Sequence, residues 1–278
     1  MNVECRWAVF TKPWADLPAG ELGALVADMG FSGAELAVRP GAHVTPATAR
    51  AQLPRYVNEL RRSDVEVVSI ASTVEESSFA ACAEAGVPLI RIMAPLVSEG
   101  YRASVEGLRR TLKDVADMSA RYGVGVGVQP HFGPFVSTVV GVLDVLRDLP
   151  TADFSLIWDA AHDALTGEDP RSTLPLARER LSVVNLKNAH YRRSPDRRSD
   201  GWSSYTPWFG QATTGMADWA RVLATLDLMG WTGPLCLSAQ YSEAVGPRAP
   251  EIAARLVRDD LAYAKKLVPA EDPMNTPN

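Results

Sequence analysis

The chain is poor in several features, and each scarcity excludes something. Only three cysteines occur in 278 residues (Cys5, Cys82 and Cys236), and none stands in a CxxC pair. A disulfide framework or a thiolate zinc site needs paired spacing, so neither is expected. No apolar run approaches the roughly 18 residues of a membrane span. Lys and Arg do not exceed the acids: 28 against 33, a net charge of −5, which argues against a general nucleic-acid binder. The opening MNVECRWAVF lacks the charged-then-apolar pattern of a secretory leader, so a cytoplasmic location is expected. Neither GxGxxG nor GxxxxGK[ST] follows the first apolar run, which speaks against a dinucleotide or P-loop fold. Histidine is scarce as well, with four in all.

What is present is a repeating rhythm. Eight strand-length apolar runs recur: RWAVF, SGAELAV, VEVVSI, PLIRIMA, VGVGVQ, FSLIWD, LSVVNLK and PLCLSAQ. Most do not alternate cleanly, as suits parallel strands covered on both faces. Between them lie segments of helical period. AGELGALVADMG stripes Leu22, Leu25, Val26 and Met29 and stops at Gly30. SVEGLRRTLKDVADMSARYG stripes Val105, Leu108, Leu112, Val115 and Met118 and stops at Gly123. Strands alternating with helices at this length predict an α/β fold, a single (β/α)8 TIM barrel over 1–268, with a loose polar tail over 269–278.

In such a barrel the chemistry belongs at the carboxyl ends of the strands. Polar residues gather there: Lys12 and Trp14 after the first run, Glu35 in the second, and Gln129-Pro130-His131 after the fifth. Asp159 and His162 follow the sixth, Asn185, Lys187, Asn188 and His190 the seventh, and Ser238 with Gln240 the eighth. Period two puts Gln129 with His131 on one face, and Asn185 with Lys187 on one face. Each residue has a plainer reading. A histidine after a strand can cap a loop carbonyl, Asp159 can cap the next helix, and Glu35 can pair with Arg39 or Arg91 as scaffolding. Their coincidence on five strand ends points instead to a pocket for a small polar molecule.

These stretches resemble the sugar-phosphate isomerase/epimerase superfamily, the xylose-isomerase-like barrels. GFSGAELAV (30–38), VQPHFG (128–133), IWDAAH (157–162) and VNLKNA (184–189) are similar to that family's second, fifth, sixth and seventh strands. The segment DWARVLATLDLMGWTGPLCLSAQ resembles its final helix, turn and strand. The resemblance implies a divalent metal held by Glu, Asp, His and Glu. At the matching positions this chain has Gln129, Asp159, Asn185 and Ser238 or Gln240, so only Asp159 survives. One carboxylate among neutral amides holds Mn²⁺ or Mg²⁺ weakly. No resident cofactor is therefore expected. The alternative is Mn, Mg or Zn bound weakly through Asp159 with His131, His162 and Gln129. Abasic-site endonucleases of the superfamily use a histidine-rich multi-metal cluster, which four histidines and an acidic chain do not supply.

The resemblance implies an isomerase, epimerase or lyase/cyclase-type enzyme acting on a small hydroxylated carbonyl compound, and the departures from its ligand set make metal-independent acid/base chemistry the expectation. The weaker alternative is a divalent-metal-dependent sugar isomerase/epimerase with an altered ligand set. His131 or His162 is the expected acid or base, Lys187 and His162 the donors to an oxyanion, and Asp159 the orienter of His162 or a proton acceptor itself. Gln129, Asn185, Glu35, Trp14, Gln240 and Trp208 are the expected substrate contacts. The long segment 189–215, with Trp202, Tyr205, Trp208 and Phe209, is expected to be a lid or a subunit contact, the latter making a homodimer. The competing function is a non-catalytic binder, a pseudoenzyme or accessory subunit. No nucleic acid or membrane partner is expected.

Overall fold

The computed structural model describes residues 7–197 and 200–268. The eight apolar runs form strands β1 (Trp7–Phe10), β2 (Gly33–Ala37), β3 (Glu66–Ala71), β4 (Leu89–Met93), β5 (Gly125–Gln129), β6 (Phe154–Asp159) and β7 (Leu181–Leu186), with β10 (Leu235–Leu237) as the eighth. They close into a parallel barrel in the order β1-β10-β7-β6-β5-β4-β3-β2, and helices cover it between strands, a (β/α)8 barrel. The expected tail, 269–278, lies outside the described residues, as does Cys5. Cys82 and Cys236 are free and buried. No helix among the described residues is long and apolar enough to cross a membrane.

Two apolar layers hold the barrel. The larger lies between strands and helices and takes the helical stripes, including Leu22, Val26, Val105 and Leu112. The smaller fills the barrel itself with Ala8, Phe10, Val68, Leu89, Ile157, Val183 and Cys236. Alternation sends every second strand residue inward, so this inner set is also the lower part of each strand's inner row. Gly127 belongs to the inner row of β5, and a Cβ there would lie 2.7 Å from Ile157 Cδ1. The missing side chain is what lets Ile157 occupy the barrel axis.

Two expectations change. The stretch around 104–123 is not one helix: Tyr101–Asp114 and Ala116–Tyr122 are separated at Val115, whose φ of −97° and ψ of 0° leave helical geometry. The segment 189–215 is not structureless either. It forms an antiparallel hairpin, β8 (Asn188–Arg197) with β9 (Ser203–Gly210). Its root is tied by Asn188, whose Nδ2 donates to the carbonyls of Ala212 and Ala217 while its Oδ1 accepts from the N–H groups of Ala189 and Ala217. Asn188 is thus a buried anchor for the chain's return. Gly215 is required beside it, because a Cβ there would meet Asn188 Oδ1 at 2.0 Å.

Candidate active site

The upper inner rows converge on a cavity of about 90 Å³ at the carboxyl end of the barrel. Strand ends and the residues just after them deliver the lining: Phe10 and Lys12 at the end of β1, Glu35 and Arg39 at that of β2, Arg91 and Met93 from β4, Gln129 and His131 at the end of β5. Asp159 and His162 come from β6 and its following helix, Asn185 and Lys187 from β7, Ser238 and Gln240 from β10. A wider chamber of about 500 Å³ adjoins it and shares Lys12, His131, Lys187 and Gln240. Its other walls include Phe132, Phe209, Tyr241 and Pro250.

A buried chain of polar contacts crosses the cavity floor. Glu35 Oε1 accepts from Ser69 at 3.1 Å and from Arg91 Nε at 2.5 Å. Arg91 Nη1 donates to Gln129 Oε1 at 2.6 Å, and Gln129 Nε2 donates to Asp159 Oδ2 at 2.8 Å. Asp159 Oδ1 accepts from the N–H groups of Ala161 and His162, at 3.0 and 3.1 Å, and so caps the helix Ala160–Leu165. Burial opposes charge on Asp159. The imidazole of His162, the ammonium of Lys187 and the His162 N–H outweigh it, and the carboxyl titrates below its ordinary value. With low basicity and both oxygens engaged, Asp159 is an orienting group and a poor proton acceptor. Glu35 pairs with Arg91, as in its plainer reading, and also lines the cavity. The Gln129 amide holds Arg91 through its oxygen and Asp159 through one of its two N–H donors, leaving one N–H unassigned at the cavity.

Those contacts also bear on a metal. Of the four positions where the family places ligands, Gln129 presents its oxygen to Arg91, and Asp159 has both oxygens occupied by N–H donors. Asn185 and Ser238 are neutral, and Lys187 projects into the same space. Among the described residues no three His, Cys, Asp or Glu side chains are grouped to hold a metal ion. The donor set does not fit a divalent cation, because one carboxylate, already engaged by N–H donors, supplies too little charge to offset the ion's dehydration.

The two histidines meet at the join between cavity and chamber, ring centroids 4.1 Å apart. They are set by the peptide groups of one residue. His131 Nδ1 lies 2.7 Å from the Phe132 carbonyl oxygen, which can only accept, so Nδ1 carries the proton and Nε2 the lone pair. The Phe132 N–H donates to His162 Nδ1 at 3.4 Å, so His162 holds its proton on Nε2. That Nε2 is buried and has no hydrogen-bond partner. The turn doing this, QPHFGPF, closes through Gly133 at φ 92° and is pinned by the Val136 N–H to the Ala94 carbonyl at 2.8 Å. Burial lowers the pKa of His131, the Phe132 contact partly opposing it, and pushes that of His162 down to about 3. Both rings are neutral near pH 7, and they are opposite tautomers.

Lys187 is buried, donates to Gln240 Oε1 at 2.8 Å, and stands 3.8 Å from the centroid of the Phe209 ring. Burial pushes its pKa down to about 8. Two expected substrate contacts are corrected. Trp14 lies in the turn Lys12–Trp14, which carries it away from the cavity; it is buried and its Nε1 donates to the Pro250 carbonyl. Trp208 lines neither space and packs against the Arg192 guanidinium. Its neighbour Phe209 faces the site, since adjacent strand residues point to opposite faces. Phe209 is held there by reciprocal bonds between its backbone and Ser242. The tip aromatics Trp202 and Tyr205 are 74% and 60% exposed. Arg91, unassigned beyond its pairing with Glu35, was foreshadowed by a guanidinium inside the apolar run PLIRIMA.

Comparison with known proteins agrees with this architecture. Residues 24–267 match the model of the xylose isomerase-like TIM barrel family. Inosose dehydratase of Geobacillus thermodenitrificans (strain NG80-2) is 22% identical over 162 residues, 57% of this chain and 53% of that protein, so the match spans about half of the dehydratase. In structure, 3-keto-D-glucoside 4-epimerase from E. coli is similar with a TM-score of 0.71 at 14% identity, over 95% of this chain and 100% of its own. The probable 3-DHS dehydratase from Bacillus anthracis gives 0.67 at 13% identity, over 92% and 98%. At such identities these structures speak for the fold. The chain belongs to the xylose isomerase-like TIM barrel family.

Proposed function

We propose that this protein is an enzyme that removes a proton from the carbon beside a carbonyl of a small hydroxylated substrate, without a metal. The observation carrying the reading is the opposed tautomers of His131 and His162. A lone pair on one imidazole and an unpartnered N–H on the other, their rings 4.1 Å apart in the cavity lining and that N–H nitrogen 4.0 Å from Asp159 Oδ2, are what enolisation needs. His131 Nε2 takes the proton from carbon. The electron pair moves onto the carbonyl oxygen, and the developing oxyanion is held by the His162 Nε2–H and the Lys187 ammonium. Returning the proton to the other face or the neighbouring carbon gives epimerisation or isomerisation, while passing it from His131 to a β-hydroxyl, which leaves as water as the enolate collapses, gives dehydration. Epimerases and dehydratases both occur among the similar proteins, in keeping with a shared first step.

The test is exchange of substrate C–H for deuterium in D₂O, followed by proton NMR across a panel of ketoses, inososes and hydroxylated keto acids. Exchange in at least one compound is expected. Binding without exchange or turnover across the panel would establish a non-catalytic binder.

The pH dependence of kcat/KM follows from the two perturbed groups. His131 must be neutral to act, so activity is lost as pH falls through its lowered pKa, below the ordinary 6.5. Lys187 must be charged, so activity is lost as pH rises through about 8. A bell with its upper limb near pH 8 is expected, and Lys187→Met should remove that limb as well as most of the rate. A profile flat from pH 5 to 9, ~2 units either side of neutrality, would contradict these roles.

Metal analysis is the complementary measurement. Protein purified without chelator is expected to carry no stoichiometric Mn, Mg or Zn and to keep its exchange activity in EDTA. One equivalent of metal, with activity lost on chelation and restored on reloading, would overturn the metal-free assignment.

A further inference from the structure

The cavity is cationic although the chain is acidic. Its lining holds Lys12, Arg39, Arg91 and Lys187 against two carboxylates, Glu35 and Asp159, in a protein of net charge −5. Neither carboxylate is available to the remaining cations. Glu35 is engaged by Arg91 and Ser69, and Asp159 by Gln129 and two backbone N–H groups. Among the described residues, Lys12 and Arg39 have no carboxylate in salt-bridge range, and Arg39 Nε is buried without a hydrogen-bond partner. Arg91 uses Nε and Nη1 on the floor, two of its five N–H donors.

These cations are also grouped. The guanidinium carbons of Arg39 and Arg91 lie 5.7 and 4.7 Å from the centroid of one ring, that of Phe10. Like charges brought together around a small buried space repel unless an anion enters it. Their mutual repulsion adds to the effect of burial. Lys12 is pushed down by burial, Arg39 and Arg91, and Arg39 by burial and Arg91. The group comes from the ends of β1, β2 and β4, whereas the proton-handling residues come from the ends of β5, β6 and β7.

We propose that the substrate is a carboxylic acid, its carboxylate held by Lys12, Arg39 and Arg91 while its carbonyl faces His131, His162 and Lys187. The assignment rests on reading the cavity as the substrate site and names the class of compound it takes. Two planar guanidinium groups match the flat, two-oxygen geometry of a carboxylate. The cavity of about 90 Å³ has room for that head group, and the rest of the molecule extends past His131 into the chamber of about 500 Å³.

Matched pairs of probes test it by titration calorimetry at low ionic strength: gluconate with sorbitol, glucuronate with glucose, and pyruvate with hydroxyacetone. At least one acid is expected to bind tenfold or more tightly than its neutral counterpart. Arg39→Gln and Lys12→Gln should each weaken that acid about tenfold, as loss of a charge-assisted hydrogen bond does, and leave the neutral partner unchanged. Arg39→Lys should retain part of the preference, and thermal unfolding of each variant checks the fold. If no pair favours the acid, or if both Gln variants bind it as the wild type does, the proposal is overturned. Preference for glucose 6-phosphate over glucuronate would overturn the carboxylate in favour of a phosphate. Binding is read without turnover, so the two readings fail separately. An inactive protein that prefers acids sinks only the enzymatic reading, and an active one with no such preference sinks only this proposal.

Discussion

Asparagine in place of His131 is expected to lower deuterium exchange by about 10²–10⁴-fold, the usual contribution of a positioned general base. The substitution isolates the base. An asparagine Nδ2–H can still donate to the Phe132 carbonyl, which His131 Nδ1 approaches at 2.7 Å, so the turn that orients His162 is preserved. Only the Nε2 lone pair is removed. The low-pH limb of the rate profile should disappear with it. His162→Ala should behave differently. Loss of one oxyanion donor costs roughly 10²–10³-fold and should leave the low-pH limb in place, because His162 is neutral throughout that range, its pKa being about 3. Exchange at the wild-type rate in His131→Asn, or an acidic limb that survives there, would assign the base elsewhere.

Methionine in place of Arg91 is the largest expected effect on stability. Arg91 and Glu35 are 8% and 3% exposed at their side chains and meet at 2.5 Å. Removing the guanidinium strands a buried carboxylate and leaves Gln129 Oε1 without its donor, a loss of about 3–5 kcal/mol. Urea unfolding should show this as a lower midpoint with an unchanged slope. The double variant Arg91→Met/Glu35→Gln should recover much of the loss, since no unpaired charge then remains buried. A single variant as stable as the wild type would mean that water reaches Glu35 and that the floor of the cavity is not dry.

The same pair explains why Gln129 stands where the family has a glutamate. A carboxylate there would accept from Arg91 but would face Asp159 Oδ2, now 2.8 Å from Gln129 Nε2, as a second anion. With an amide, one side chain satisfies a cation on one side and a carboxylate on the other. At this single position the amide makes a hydrogen-bonded bridge between Arg91 and Asp159.

Much of this was legible in the sequence, for a definite reason. Parallel strands buried on both faces must read as apolar runs, and helices covering them must carry a stripe, so eight strands and their order followed from local pattern alone. Period two fixed which strand-end residues share a face, and it brought Gln129 with His131, and Asn185 with Lys187, to the rim. The departures at Gln129 and Asn185 from the metal-binding pattern were likewise visible residue by residue. Tertiary structure alone decided which partner each group would have. The histidine tautomers depend on the two peptide groups of Phe132, and no propensity encodes where a carbonyl points. Trp208 and Phe209 are equally aromatic, yet the register of one hairpin turns one outward and the other onto Lys187. Lys12, Arg39 and Arg91 follow or lie on three separate strands, and only the folded barrel brings them to one cavity, with both guanidinium groups over one phenyl ring. Charge acts through space, and a chain written in one dimension does not say which charges will meet.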